Sequence, residues 1–166
     1  MKTLTTKILR LSFLVGLLGI TSGNALATAQ APDILIYEGE RFALFSNPLE
    51  SYYNEDNPRP SFNSHSTGNW RGYVATWKID GDTLYLRDIK AWLNGTEVGL
   101  DTLFPEHQGK IEASWFTGKL RVPRGKELSY VHMGYASIYE QDIIISVQAG
   151  KVVKTEIIDN SDKIKK

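Results

Sequence analysis

Beyond Pro32 the apolar positions fall in short runs rich in Ile, Val, Tyr, Trp and Thr, and no window carries a sustained stripe at the helical period. That pattern predicts an all-β domain of antiparallel strands. Ile34–Tyr37 and Arg41–Phe45 flank the turn Glu38-Gly39-Glu40. Trp70–Ile79 and Thr83–Ile89 flank Asp80-Gly81-Asp82, where Asp-Gly offers the positive φ that tight hairpins require. Asn94-Gly95 repeats the device between Ala91-Trp92-Leu93 and Glu97–Leu100, which predicts a meander. Further runs are Ile111–Phe116, Lys119–Val122 and Leu128–Met133, the last two separated by Pro123-Arg124-Gly125-Lys126. Asp142–Ala149 and Val152–Ile158 form a terminal hairpin about Gly150-Lys151. Alternation sets Tyr73, Ala75, Trp77 and Ile79 on one interior face, and Ile143, Ile145 and Val147 on another.

Eight to ten short strands over residues 32–158 predict one antiparallel sandwich or small barrel. Short helices are expected at Leu49–Asn54 and Tyr135–Gln141 at most. Residues 159–166, ending in Lys163-Ile164-Lys165-Lys166, read as a disordered tail.

The first 27 residues follow a different pattern. Lys2, Lys7 and Arg10 precede the apolar run Leu11–Ile20, and small residues ending in Ala25-Leu26-Ala27 follow it. That order is a secretory signal peptide, with cleavage expected after Ala27 or Ala29. The run is too short for a permanent membrane anchor, and no cysteine follows it to carry a lipid. An exported protein of periplasmic or secreted destination is therefore expected, without a stable membrane anchor after cleavage. With no cysteine in the chain, the domain depends on its apolar core rather than on disulfides. Loss of the leader removes three of the 19 cations and none of the 19 acids, so the mature domain is slightly acidic and nucleic acid is not an expected partner.

The stretches Arg71–Trp77 (RGYVATW), Leu84–Ile89 (LYLRDI), Ser114–Pro123 (SWFTGKLRVP) and Tyr130–Tyr135 (YVHMGY) resemble a pattern in a family of small uncharacterised bacterial proteins. The resemblance spans roughly residues 70–140. It implies a bacterial source and assigns no activity, substrate or site residue.

The strongest candidate site is the stretch Asn47–Asn69, which has three prolines, no period, and aromatic and ionisable residues mixed with small polar ones. Loops longer than about 12–15 residues tend to be functional or disordered, and Tyr52, Tyr53 and Phe62 oppose disorder. One reading makes it a binding loop presenting Tyr52, Tyr53, Arg59 and His65, with Trp70 beside it. The other makes it a flap whose aromatics close one end of the core.

Catalytic chemistry finds little support. His65, His107 and His132 are scattered, and no Gly-x-Ser-x-Gly elbow is present. There is no His-Glu-x-x-His, and Asn54-Glu55-Asp56-Asn57 lacks the spacing of a calcium loop, so neither metal nor cofactor is expected. Glu55 and Asp56 with Glu140 and Asp142 could pair as the carboxylates of a glycosidase. The sequence thus points to an exported cell-envelope binding or interaction module whose partner is an envelope protein or glycan. A small envelope hydrolase acting on a glycan or ester, or an assembly component using a sheet edge, are the alternatives.

Overall fold

The computed structural model describes residues 29–64 and 66–164. Residues 1–28, over which the signal peptide is expected, His65 and residues 165–166 lie outside the described residues. Among the described residues the fold is all-β: one mixed sheet of nine strands with one α-helical turn and two 3-10 turns.

The strands are β1 (Asp33–Tyr37), β2 (Glu40–Leu44), β3 (Tyr73–Asp80), β4 (Thr83–Leu93), β5 (Thr96–Val98), β6 (Ile111–Glu112), β7 (Gly118–Ser129), β8 (Ile138–Gln148) and β9 (Lys151–Asp159). They run in the order β2-β1-β3-β4-β9-β8-β7, with β5 and β6 paired to β4. The two ends of this order meet: the Phe45 N–H donates to the Arg121 carbonyl at 2.8 Å, and the Arg121 N–H donates to Ser46 Oγ at 3.0 Å. The sheet therefore rolls toward closure as a barrel instead of stacking as two layers.

The anticipated hairpins form around their local turn pairs, β1–β2, β3–β4, β4–β5 and β8–β9. Tyr73, Ala75, Trp77 and Ile79 all face inward, as do Ile143, Ile145 and Val147. Leu35, Leu44, Leu84, Leu86, Leu120 and Val122 complete the centre of the core.

Several features depart from the expectation; the runs Ile111–Phe116 and Leu128–Met133 are strand only over Ile111–Glu112 and as far as Ser129. β1 and β3 run parallel, because β2 and the whole loop 45–72 lie between them and give the chain the length a parallel crossover needs. Pro123–Lys126 does not separate two strands. β7 runs through it with register shifts between Arg124 and Glu127 and between Glu127 and Ser129, the kind of irregular edge where a strand tolerates proline. The helix anticipated over Tyr135–Gln141 is replaced by the start of β8 at Ile138, while a single α-helical turn, α1 (Leu100–Leu103), follows β5. The chain also stays packed past β9: Asn160 is buried, its Nδ2 donates to the Tyr139 carbonyl and the Asp142 carboxylate, and a 3-10 turn covers Ser161–Ile164.

One irregularity in β4 reaches the surface. Thr76 pairs with Asp88 but the next residue, Trp77, pairs with Leu86, so Arg87 is an extra residue in a bulge. The bulge shifts the alternation by one: Leu84 and Leu86 point inward before it, Ile89 and Ala91 after it, and Arg87 and Asp88 are both exposed.

Two turn glycines set up a stability comparison. Gly81 has φ +63 with open space where a Cβ would stand, whereas Gly150 has φ +78 and a Cβ there would lie 2.9 Å from the Ala113 backbone. Gly81→Ala is expected to cost about 1 kcal/mol, the left-handed penalty alone. Gly150→Ala is expected to cost at least about 2 kcal/mol, because a backbone contact must also yield. Urea melts of the two variants check the order, and an equal or reversed pair of midpoints would contradict the close packing of the β8–β9 turn against the segment after β6.

Candidate functional site

The loop 45–72 is ordered by contacts that its composition makes possible. Pro48 opens a 3-10 turn over Pro48–Ser51 and places Leu49 in the core. The indole N–H of Trp115 donates to the Pro48 carbonyl at 3.2 Å, and the Tyr52 ring packs at 4.8 Å from Trp115 and 5.3 Å from Phe104. Tyr53 lies edge-on to Tyr52 at 5.8 Å and 6.2 Å from Phe62, which in turn meets Tyr73 at 5.3 Å. Desolvation by burial, then the nearby Glu50 charge, pushes the Tyr53 hydroxyl above its ordinary range, so it stays protonated at neutral pH.

The polar residues fix the loop's shape. Asn54 Oδ1 accepts the backbone N–H groups of Asp56 and Asn57 at 2.9 and 3.0 Å, which makes the acidic run a side-chain-capped turn. Arg59 pairs with Glu50 at 3.2 Å, donates to the Arg71 carbonyl at 2.9 Å, and lays its guanidinium 4.9 Å from the Phe62 ring centre. The Asn63 N–H donates to the Trp92 carbonyl at 2.7 Å, and Asn63 Oδ1 accepts from Gly95, tying the loop to the β4–β5 hairpin.

Between this loop and α1 lies an open cleft of about 200 Å³. Tyr52, Tyr53, Asn57, Pro58 and Pro60 wall one side, Leu103 and Phe104 the other, and Asp56 is its charged group. Of the residues singled out in the sequence, the fold brings Tyr52 and Tyr53 together at this cleft. Arg59 is engaged with Glu50 behind it, Trp70 stands 69% exposed, and His65 lies outside the described residues. Two of the four carboxylates considered for glycosidase chemistry have other partners: Asp142 binds Arg121 at 2.8 Å, and Glu140 accepts the Lys126 N–H at 3.0 Å. Among the described residues, no group of three or more His, Cys, Asp or Glu side chains could hold a metal ion.

A second, larger depression of about 280 Å³ lies on the outer face of β1–β4, lined by Ile34, Ile36, Val74 and Thr76 with Arg41, Arg87, Asp88 and Lys90. Sequence reasoning missed it because its cations come from β2 and β4, far apart in the chain, and because the bulge that turns Arg87 outward is a tertiary feature.

Beneath the loop runs a buried polar network. Arg71 Nη2 donates to Asp33 Oδ1 at 2.9 Å and to the Ala31 carbonyl at 3.0 Å, and Nη1 donates to the Tyr135 hydroxyl. The Asp33 carboxylate also accepts the Trp77 indole N–H at 3.0 Å and the Ala75 N–H at 3.1 Å. Asp33 and Arg71 are 0% and 2% exposed. Burial pushes the Asp33 carboxyl up to about 6 against the opposing pull of Arg71, Trp77 and Ala75, so the pair is still charged at neutral pH. Arg71, Tyr73, Trp77, Trp115, Arg121 and Tyr135 all take part in hydrogen bonds that hold the fold.

No family model, curated protein or solved structure matches the chain, so the site is read from its own geometry.

Asp33→Ala leaves an arginine, an indole and a backbone N–H without their acceptor and is expected to cost about 3–5 kcal/mol in a denaturant melt. The pH dependence has a definite sign. The folded pKa of Asp33, about 6, exceeds the ordinary aspartate value of 3.8, so this group's stabilising contribution is fully present below the lower value and is lost as pH rises through 6. The stability of the wild type relative to Asp33→Asn is therefore expected to fall between pH 4 and pH 6. A rise over that interval would show that Arg71 outweighs burial.

Proposed function

We propose that the protein is an exported binding module of the cell envelope, and that it takes its partner, an envelope protein or glycan, at the cleft between the loop and α1. One observation carries this reading: the rings that wall the cleft are already immobilised by contacts with the core, Tyr52 by Trp115 and Phe104, Tyr53 by Phe62. Rigid aromatic and prolyl faces offer contact area at little entropic cost, which favours recognition of a sugar ring or of a side chain presented by a protein. Asp56 and Asn57 at the margin supply acceptors and donors that would orient such a group.

The leader at residues 1–27 supports export, and a slightly acidic mature domain accords with a partner other than nucleic acid. Trp70 offers a separate contact of the same chemical kind.

Pro58→Ala and Asp56→Ala alter exposed positions and are expected to keep the wild-type melting temperature while losing the partner recovered from envelope extract by the mature domain. Recovery of the same partner by both variants would remove the cleft from the reading. Loss of the partner with Trp70→Ala alone would move the contact to the surface around Trp70.

A further inference from the structure

Among the described residues, β9 leaves one of its two edges open over most of its length. β8 covers the other from Gln148↔Lys151 to Gln141↔Asp159, but β4 reaches β9 only at Thr83↔Lys151, with the Val152 N–H donating to the Asp82 carbonyl at 2.7 Å. A bulge falls at Val153, where the register with β8 shifts, and from there the strand runs clear of β4. Every residue from Val153 to Asp159 is exposed, including Val153 at 59% and Ile157 at 62%. Exposed β-branched residues on an unpaired edge form a template for another strand. The outer edge of β7, by contrast, is interrupted by Pro123 and two register shifts.

The sequence on the open edge is complementary to itself. Reversing Val153-Lys154-Thr155-Glu156-Ile157 about Thr155 sets Lys154 opposite Glu156, Glu156 opposite Lys154, and Val153 opposite Ile157 at both ends. An antiparallel pair about a two-fold axis through Thr155 thus has opposite charges across the strands on one face. On the other face Thr155 meets its own copy across the axis, with the exposed Ile157 beyond it on each strand.

We propose that β9 is a homodimerisation edge: two copies of this chain pair antiparallel over Val153–Ile157, joining their sheets across a two-fold axis. The pairing stops at Val153 because β4 already holds Lys151 and Val152. In the single chain Lys154 and Glu156 form an exposed ion pair at 2.8 Å. In the dimer each exchanges that partner for the one across the axis, so the charges set the register while the backbone hydrogen bonds supply the affinity. Each copy consumes its open edge in the contact, and the assembly closes at two.

The test is charge reversal, read by sedimentation equilibrium on the mature protein. Lys154→Glu and Glu156→Lys each put like charges opposite at both sites, and each is expected to raise the dimer dissociation constant about tenfold or more. The double variant Lys154→Glu/Glu156→Lys restores opposite charges and is expected to dimerise like the wild type. An equimolar mixture of the two single variants is expected to form a heterodimer, because the acidic edge of one then faces the basic edge of the other. Both substitutions fall on exposed positions, so unchanged melting temperatures separate lost association from lost folding. A wild type that remains monomeric at the highest attainable concentration overturns the proposal. So do single variants that dimerise as tightly as the wild type, or a mixture that fails to associate.

Discussion

The ion pair between Asp33 and Arg71 is the constraint around which this domain is arranged. It joins the first residue of β1 to the last turn before β3, and its hydrogen-bonding partners extend to Trp77 inside the barrel and to Tyr135 in the connection from β7 to β8. Two opposite charges in a buried site need each other and a full set of hydrogen bonds, and three donors converge on the carboxylate to meet that demand. The parallel β1–β3 register, the end of the long loop and the seat of Tyr135 therefore depend on one another. One mismatch persists: Arg71 Nε finds no hydrogen-bond partner among the described residues.

The loop shows how stability and recognition come to share residues. Tyr52 and Tyr53 pack against the core with one side of their rings and wall the cleft with the other, so the cleft is rigid because it is built from core contacts. Arg59 acts at one remove: by holding Glu50 and covering Phe62 it keeps the segment between them against β3. The close approach of Asn63 and Phe62 to Gly72 completes that seal, since a side chain at Gly72 would collide with both.

Much of the fold was legible because the signals are local. A hairpin is specified by its own turn pair and by alternation in its two arms, and the strands around Asp80-Gly81, Asn94-Gly95 and Gly150 form as that logic requires. Relations between distant segments were not legible. Nothing near Asp33 or Arg71 reveals that they will meet, the parallel pairing of β1 with β3 depends on the path of the loop, and Pro123 reads as a break until its strand is found on an irregular edge. The site divides in the same way. The loop's length, prolines and tyrosines were visible in the chain, whereas the opposite wall at Leu103 and Phe104 comes from a single helical turn with no periodic signal.

The contact between β4 and β9 is a seam of one paired position with two further backbone hydrogen bonds, and where β2 meets β7 the backbone contact is similarly brief. On either side the pairing is extensive, β1–β2–β3–β4 in one block and β7–β8–β9 in the other. Such a molecule is expected to breathe as two leaves: amide protons at the seams exchange with solvent through small openings, while those within each leaf wait for larger ones. Tyr135 and Arg71 join the leaves from within, alongside the Phe45–Tyr135 ring contact and the core the two leaves share.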